Sequence, residues 1–233
     1  VTKEDGKGKW WEGYDPQELY VQNHALSGHA WAAWDWPEGT SVPPQSYYDN
    51  FFDRTVDMIN KYHPDLVYFD DSVLPFWPIN DTGLKVVSHY YNQNMKLHKG
   101  NLNAVVFGKK LEAKHKEAIV WEVEKGVPSE CQDKAWQTCS CLGTWHYNRS
   151  AYEDNWYKSA ETVIHMLIDI VSKNGNLLLS VPMKGNGTID DKEEKILEDI
   201  AAWMEVNGEG IFDTRPWCIY GEGPSTETAI PLD

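Results

Sequence analysis

Two short apolar runs in this chain each close on carboxylates, and those acids are the residues best placed to do chemistry. The first is His63-Pro64-Asp65-Leu66-Val67-Tyr68-Phe69-Asp70-Asp71; the second is Ala118-Ile119-Val120-Trp121-Glu122-Val123-Glu124, stopped by Lys125-Gly126. Leu66 to Phe69 are residue types that favour a strand buried on both faces. Side chains alternate along a strand, so Asp70 shares a face with Tyr68 and Leu66 while Asp71 points the other way. By the same alternation Glu122 and Glu124 share one face and Trp121 and Val123 the other. Two acids on one face repel each other and cost desolvation. Carboxylates on successive strand ends are what a retaining glycosidase needs. One attacks the anomeric carbon, and the other protonates the departing oxygen and later activates water. The plainer alternatives are that Asp70 and Asp71 cap the next helix or turn, and that Glu124 is solvated or bound to Lys125.

The elements that must position these acids alternate between helix and strand. Residues 1 to 45 are punctuated by glycine and proline and carry Trp10, Trp11, Trp31, Trp34 and Trp36, which predicts irregular structure covering a surface. Tyr48, Phe51, Phe52, Val56, Met58 and Ile59 recur at helical spacing, predicting a helix over 46–62. A strand over 65–70 follows, then a helix over about 84–98 and strands over 103–107 and 118–124. Residues 127–150 read as a long aromatic loop with one short strand. Val163, Met166, Leu167, Ile170 and Val171 make the stripe of a helix over 159–173, stopped by Asn174-Gly175. A buried strand over 177–181 and a helix over 190–206 complete the series, with acids in the last helix's first turn. This alternation predicts a parallel sheet with crossover helices. A whole (β/α)₈ barrel takes about 250 residues, so four or five strands predict a partial TIM-like barrel whose N-terminal strands are missing. Residues 1–215 are assigned to that barrel, and 216–233 leave it as an exit segment towards a C-terminal β domain.

Composition narrows the partners. The chain has 233 residues with 21 Lys+Arg against 36 Asp+Glu, a formal net charge of -15, which disfavours nucleic acid and anionic membrane surfaces. Twelve Trp and twelve Tyr offer flat amphipathic faces suited to hydroxyl-rich ligands such as carbohydrate. Cys131, Cys139, Cys141 and Cys218 lack the spacing of a zinc or thioredoxin motif. Buried free thiols are expected, with a disulfide through Cys131 as the alternative. No run reaches transmembrane length and no signal pattern opens the chain, which starts at Val1. Sequons occur at Asn80, Asn148 and Asn186.

Further segments carry a resemblance. In order they are Trp10-Trp11-Glu12-Gly13-Tyr14, the strand His63 to Asp70, Glu124-Lys125-Gly126, and Trp136-Gln137-Thr138 with Trp145-His146-Tyr147-Asn148. Then come Asn174-Gly175-Asn176-Leu177-Leu178-Leu179, Gly187-Thr188-Ile189, and Arg215-Pro216-Trp217 with Tyr220-Gly221-Glu222-Gly223-Pro224. The set resembles the C-terminal half of the catalytic domain of glycoside hydrolase family 29 α-L-fucosidases. That resemblance implies that Asp70 is the nucleophile, because the family's aspartate follows an aromatic-Phe pair at a strand end; family members often have glycine where Asp71 stands. It implies Glu124 as acid/base, with Glu122 and Glu130 in reserve, and Trp145, Trp136 and His146 as substrate-binding residues. Loop packing is the other reading of the two tryptophans. The family's early sugar-binding histidines and tryptophan have no counterpart, and His24 and His29 do not map onto them. The implied reaction is retaining exo-hydrolysis of terminal α-L-fucose from fucosylated oligosaccharides or glycoprotein glycans, with no cofactor and no metal, in a periplasmic or secreted protein. A catalytically inactive carbohydrate-binding fragment and a barrel glycosidase of other sugar specificity are the alternatives.

Overall fold

The structure, a computed structural model, describes residues 3–15, 43–70 and 74–222. Trp31, Trp34, Trp36, His24, His29 and Asp71 lie outside the described residues. The chain divides into two compact units, Val1–Gly108 and Lys109–Asp233.

In the first unit, α1 (Gln45–Tyr62) starts directly after the extended Pro44 and ends where His63 turns left-handed and donates its N–H to the Ile59 carbonyl. A left-handed residue after the last turn satisfies a carbonyl that the helix cannot. Strand β1 (Leu66–Phe69) follows, then α2 (Thr82–Leu97) and β2 (Val105–Lys109). The two strands pair in parallel from Leu66↔Val105 to Phe69↔Gly108. The expectation of a strand over 103–107 is shifted by two residues. Asn103 donates its backbone N–H to the Asn94 side chain on α2 at 2.8 Å, and the ladder begins only when Val105 donates to the Asp65 carbonyl. The shift carries the strand on to Lys109. Nor is β1 buried on both faces: Leu66 is 48% exposed. Phe76 meets the rings of Tyr48 and Phe51 edge-on, at 4.9 and 5.0 Å between centroids, so aromatic contacts tie the segment after β1 to α1.

The second unit contains β3 (Val120–Glu124), β4 (Trp136–Cys141), α3 (Arg149–Glu153), α4 (Ala160–Ser172), β5 (Gly175–Ser180) and α5 (Asp191–Asn207). Strand β4 runs between β3 and β5, parallel to both. It is the one short strand expected within 127–150, and all six of its residues are buried although the sequence Trp-Gln-Thr-Cys-Ser-Cys is largely polar. Two neighbouring ladders take its backbone groups, which makes burial of a polar run affordable in hydrogen-bond terms. Helix starts follow their caps: Ser159 accepts from Thr162 N–H, Asp190 from Glu193 N–H, and Asn148 from Ser150 N–H. The last cap opens α3, which the sequence left inside a loop.

Trp136, Met166 and Ile170 form the buried centre between this sheet and α4, with Trp121, Val127 and Leu177 packed around them. Each such aliphatic side chain contributes about 1.5–3 kcal/mol on burial. The Trp136 indole N–H donates to the Lys173 carbonyl at 2.8 Å, and its ring lies across Gly175, where a Cβ would stand 2.5 Å from it. Among the described residues no helix is long and apolar enough to cross a membrane.

Candidate active site

Asp70 follows the last residue of β1, and the Tyr68 hydroxyl donates to its Oδ1 at 3.1 Å. The pair two residues apart on one face is what strand alternation demands. A phenol donating to one carboxylate oxygen orients the group.

In the second unit Glu124 closes β3. Its Oε2 accepts from Lys109 Nζ at 2.8 Å, with the two side chains 39% and 11% exposed. A nearly buried ammonium thus fixes the orientation of a carboxylate that still reaches solvent. The sequence alone does not single out Lys109. It is a cation ending an apolar strand, just as the acids do, but it lies two residues beyond the strand expected over 103–107.

Glu122 lies on the same face as Glu124 and is buried, and neither carboxylate oxygen has a hydrogen-bond partner among the described residues. Gln137 stands opposite it in register and Asn176 opposite Gln137; Asn176 Nδ2 donates to Gln137 Oε1 at 3.0 Å. A row of amide and carboxyl groups therefore crosses the sheet beneath Glu124. Glu130 is exposed on the loop after β3, where its carbonyl accepts from Gln132 Nε2.

After Glu124 the backbone turns left-handed at Lys125, whose N–H bonds the Cys139 carbonyl. The Lys125 ammonium lies 5.5 Å from the centroid of the Trp145 ring, so Trp145 stands beside the end of β3, half-buried, while His146 is exposed. Trp136 has a different place from the one expected. It faces α4, opposite the Glu122–Glu124 face, and is 1% exposed, because the residue after Ala135 takes the outward side of the β4 alternation. It supports the sheet and offers no surface to a sugar. All four cysteines are free thiols, Cys139 and Cys141 buried on the strand.

The sequence model of the α-L-fucosidase family matches residues 15–209, which include Asp70, Lys109 and Glu124. The chain belongs to the α-L-fucosidase family. It is similar to the human tissue alpha-L-fucosidase, 26% identical over 186 residues that make up 73% of this chain and 36% of that protein. A solved alpha-L-fucosidase superposes with a TM-score of 0.62 at 25% identity, covering 75% of this chain and 37% of the other. The Thermotoga maritima alpha-fucosidase gives 0.59 at 26% identity over 75% and 37%. The chain therefore spans little more than a third of the length of these relatives. Its fold class is α/β, with parallel strands and crossover helices as in part of a TIM-like barrel.

Proposed function

We propose that this chain carries the two catalytic carboxylates of a retaining exo-α-L-fucosidase acting on fucosylated oligosaccharides or glycoprotein glycans, in a periplasmic or secreted setting. Asp70 attacks the anomeric carbon of a terminal fucose as Glu124 gives its proton to the departing glycosidic oxygen, so the C–O bond breaks and a glycosyl ester forms. Glu124, now a carboxylate, takes a proton from water as that water attacks the same carbon, and Asp70 leaves as a carboxylate. Trp145, beside Glu124, offers an aromatic face to the C–H side of the sugar.

The observation that carries this reading is the family match, which spans both units, together with an acid at the end of a parallel-paired strand in each, Glu124 being held by a nearly buried lysine. Glu124 is preferred to Glu130, which sits on an exposed loop, and to Glu122, which has no route to solvent. Release of 4-nitrophenol from its α-L-fucoside by the full-length protein tests it. Asp70→Ala is expected to abolish turnover and azide to restore it; near-normal turnover without Asp70 removes the assignment. Loss of Glu124 is expected to hurt substrates with poor leaving groups far more than activated aryl fucosides.

A further inference from the structure

The N-terminal turn of α5 buries two carboxyl groups that the proposed reaction does not use. Asp190 and Glu193 are each 1% exposed, and Glu193 is the buried residue of a helix whose other side chains are half-buried or exposed. Asp190 is fully engaged: Oδ1 accepts from Glu193 N–H at 2.8 Å and Oδ2 accepts from the Tyr157 hydroxyl at 2.6 Å. Glu193 is not: neither of its oxygens has a well-formed hydrogen bond among the described residues. A buried carboxylate so weakly served, next to a second carboxylate, is costly to ionise.

Tyr157 ends the loop of residues 142–159, which carries Trp145 and His146. The loop is drawn together at its base, where Lys158 N–H bonds the Leu142 carbonyl at 2.7 Å and Lys158 Nζ the Cys141 carbonyl at 3.2 Å. The Tyr157 ring fills the space over Gly143, where a Cβ would lie 3.0 Å from it. From α5, Lys192 Nζ also reaches the Tyr152 carbonyl. The first turn of α5 is thus the anchor of this loop.

We propose that Asp190 and Glu193 form a proton-controlled clamp: with Glu193 protonated, Asp190 holds Tyr157 and the loop is fastened to α5, and loss of that proton loosens both. Burial, the adjacent Asp190 charge and contact with the Asp190 carboxylate push the Glu193 carboxyl up to about 7, opposed by the Asp190 backbone N–H and by Lys184 in the turn before the helix. Tyr157 is pushed up by burial and by its bond to Asp190, with Glu193 and Tyr147 adding to it, so the phenol remains a donor throughout. Asp191 faces Tyr152. Deprotonation sets a second negative charge against Asp190 in a buried turn, which the Asp190 N–H and Lys184 only partly offset, and the relief is for the turn to open to water. The sign follows from linkage: the closed form binds the proton more tightly than an open, solvated one, so opening becomes easier as pH rises from about 4.5 to about 7.

The test is amide hydrogen exchange of peptides from 143–157 in the full-length protein, corrected for intrinsic rates, at pH 5.5 and 8. Protection in the wild type is expected to fall on the order of twentyfold over that interval. Glu193→Gln, an isosteric neutral amide, is expected to keep the low-pH protection at both values. Tyr157→Phe is expected to show low protection at both, and it stands as the second arm if Glu193→Gln fails to fold. A wild type without pH dependence, a Glu193→Gln variant that follows the wild type, or a Tyr157→Phe variant as protected as the wild type at pH 5.5 overturns the clamp. Exchange needs no sugar, so failure of the fucosidase reading and failure of the clamp are separate results.

Discussion

The two faces of the β3–β4–β5 sheet do opposite work with the same strands. One face carries Trp121, Trp136 and Leu177 against α4 and is dry and close-packed. The other carries Glu122, Glu124, Gln137 and Asn176 and keeps its carboxylates, an ammonium and amides in reach of one another. Strand alternation makes this division unavoidable: a shift of one residue in register would carry Trp136 to the polar face and Gln137 into the core. Stability and chemistry are thus assigned by parity along the strand, and the difference can be attacked from either side.

The largest effect is expected on the dry face. Trp136→Ala removes a fully buried ring and leaves the Lys173 carbonyl without its donor, and is expected to cost about 3–5 kcal/mol in chemical denaturation. A loss below about 1 kcal/mol would mean that the α4 side is not the core of this unit. Gly175→Ala comes next, at about 1–3 kcal/mol, since its Cβ would press on the same indole from the neighbouring strand; a neutral result would show that the ring can slide. The smallest change, and one of opposite sign, is expected on the polar face. Glu122→Gln keeps the shape and replaces a buried carboxyl that has no hydrogen-bond partner among the described residues by a neutral amide, and is expected to raise stability by about 1 kcal/mol. A comparable loss would reveal a donor to Glu122 and make the polar row a structural network.

Much of this was legible beforehand because period and punctuation are local. The helices over 46–62 and 159–173 were placed to within a residue or two from their apolar stripes and their stops. Asp70 and Glu124 are candidates because an acid ending a β-branched or aromatic run stands out in one dimension. The misses have equally physical causes. Strand β4 is the short strand expected somewhere within 127–150, but its position and full burial were not legible, because it has no apolar periodicity and its burial comes from the two strands that flank it. Lys109 lay beyond a strand end that only the Asn94–Asn103 tie defines. Trp136 is open to two readings in sequence, sugar platform or packing, because an indole is amphipathic in any setting, and its parity relative to α4 decides for packing.

What the sequence by itself determined is the order of elements, the carboxylates at strand ends and, through an ordered set of short motifs, the family. These depend on interactions within a few residues or on the identity of residues at fixed spacing. What the tertiary structure decided is which acid is braced by which base, which tryptophan is buried, and which helix turn fastens the loop of Trp145. Those relations join residues 15 to 37 positions apart, as in Lys109 with Glu124, Tyr157 with Asp190 and Trp136 with Lys173. No local pattern encodes such pairs, because they exist only once packing has brought the segments together.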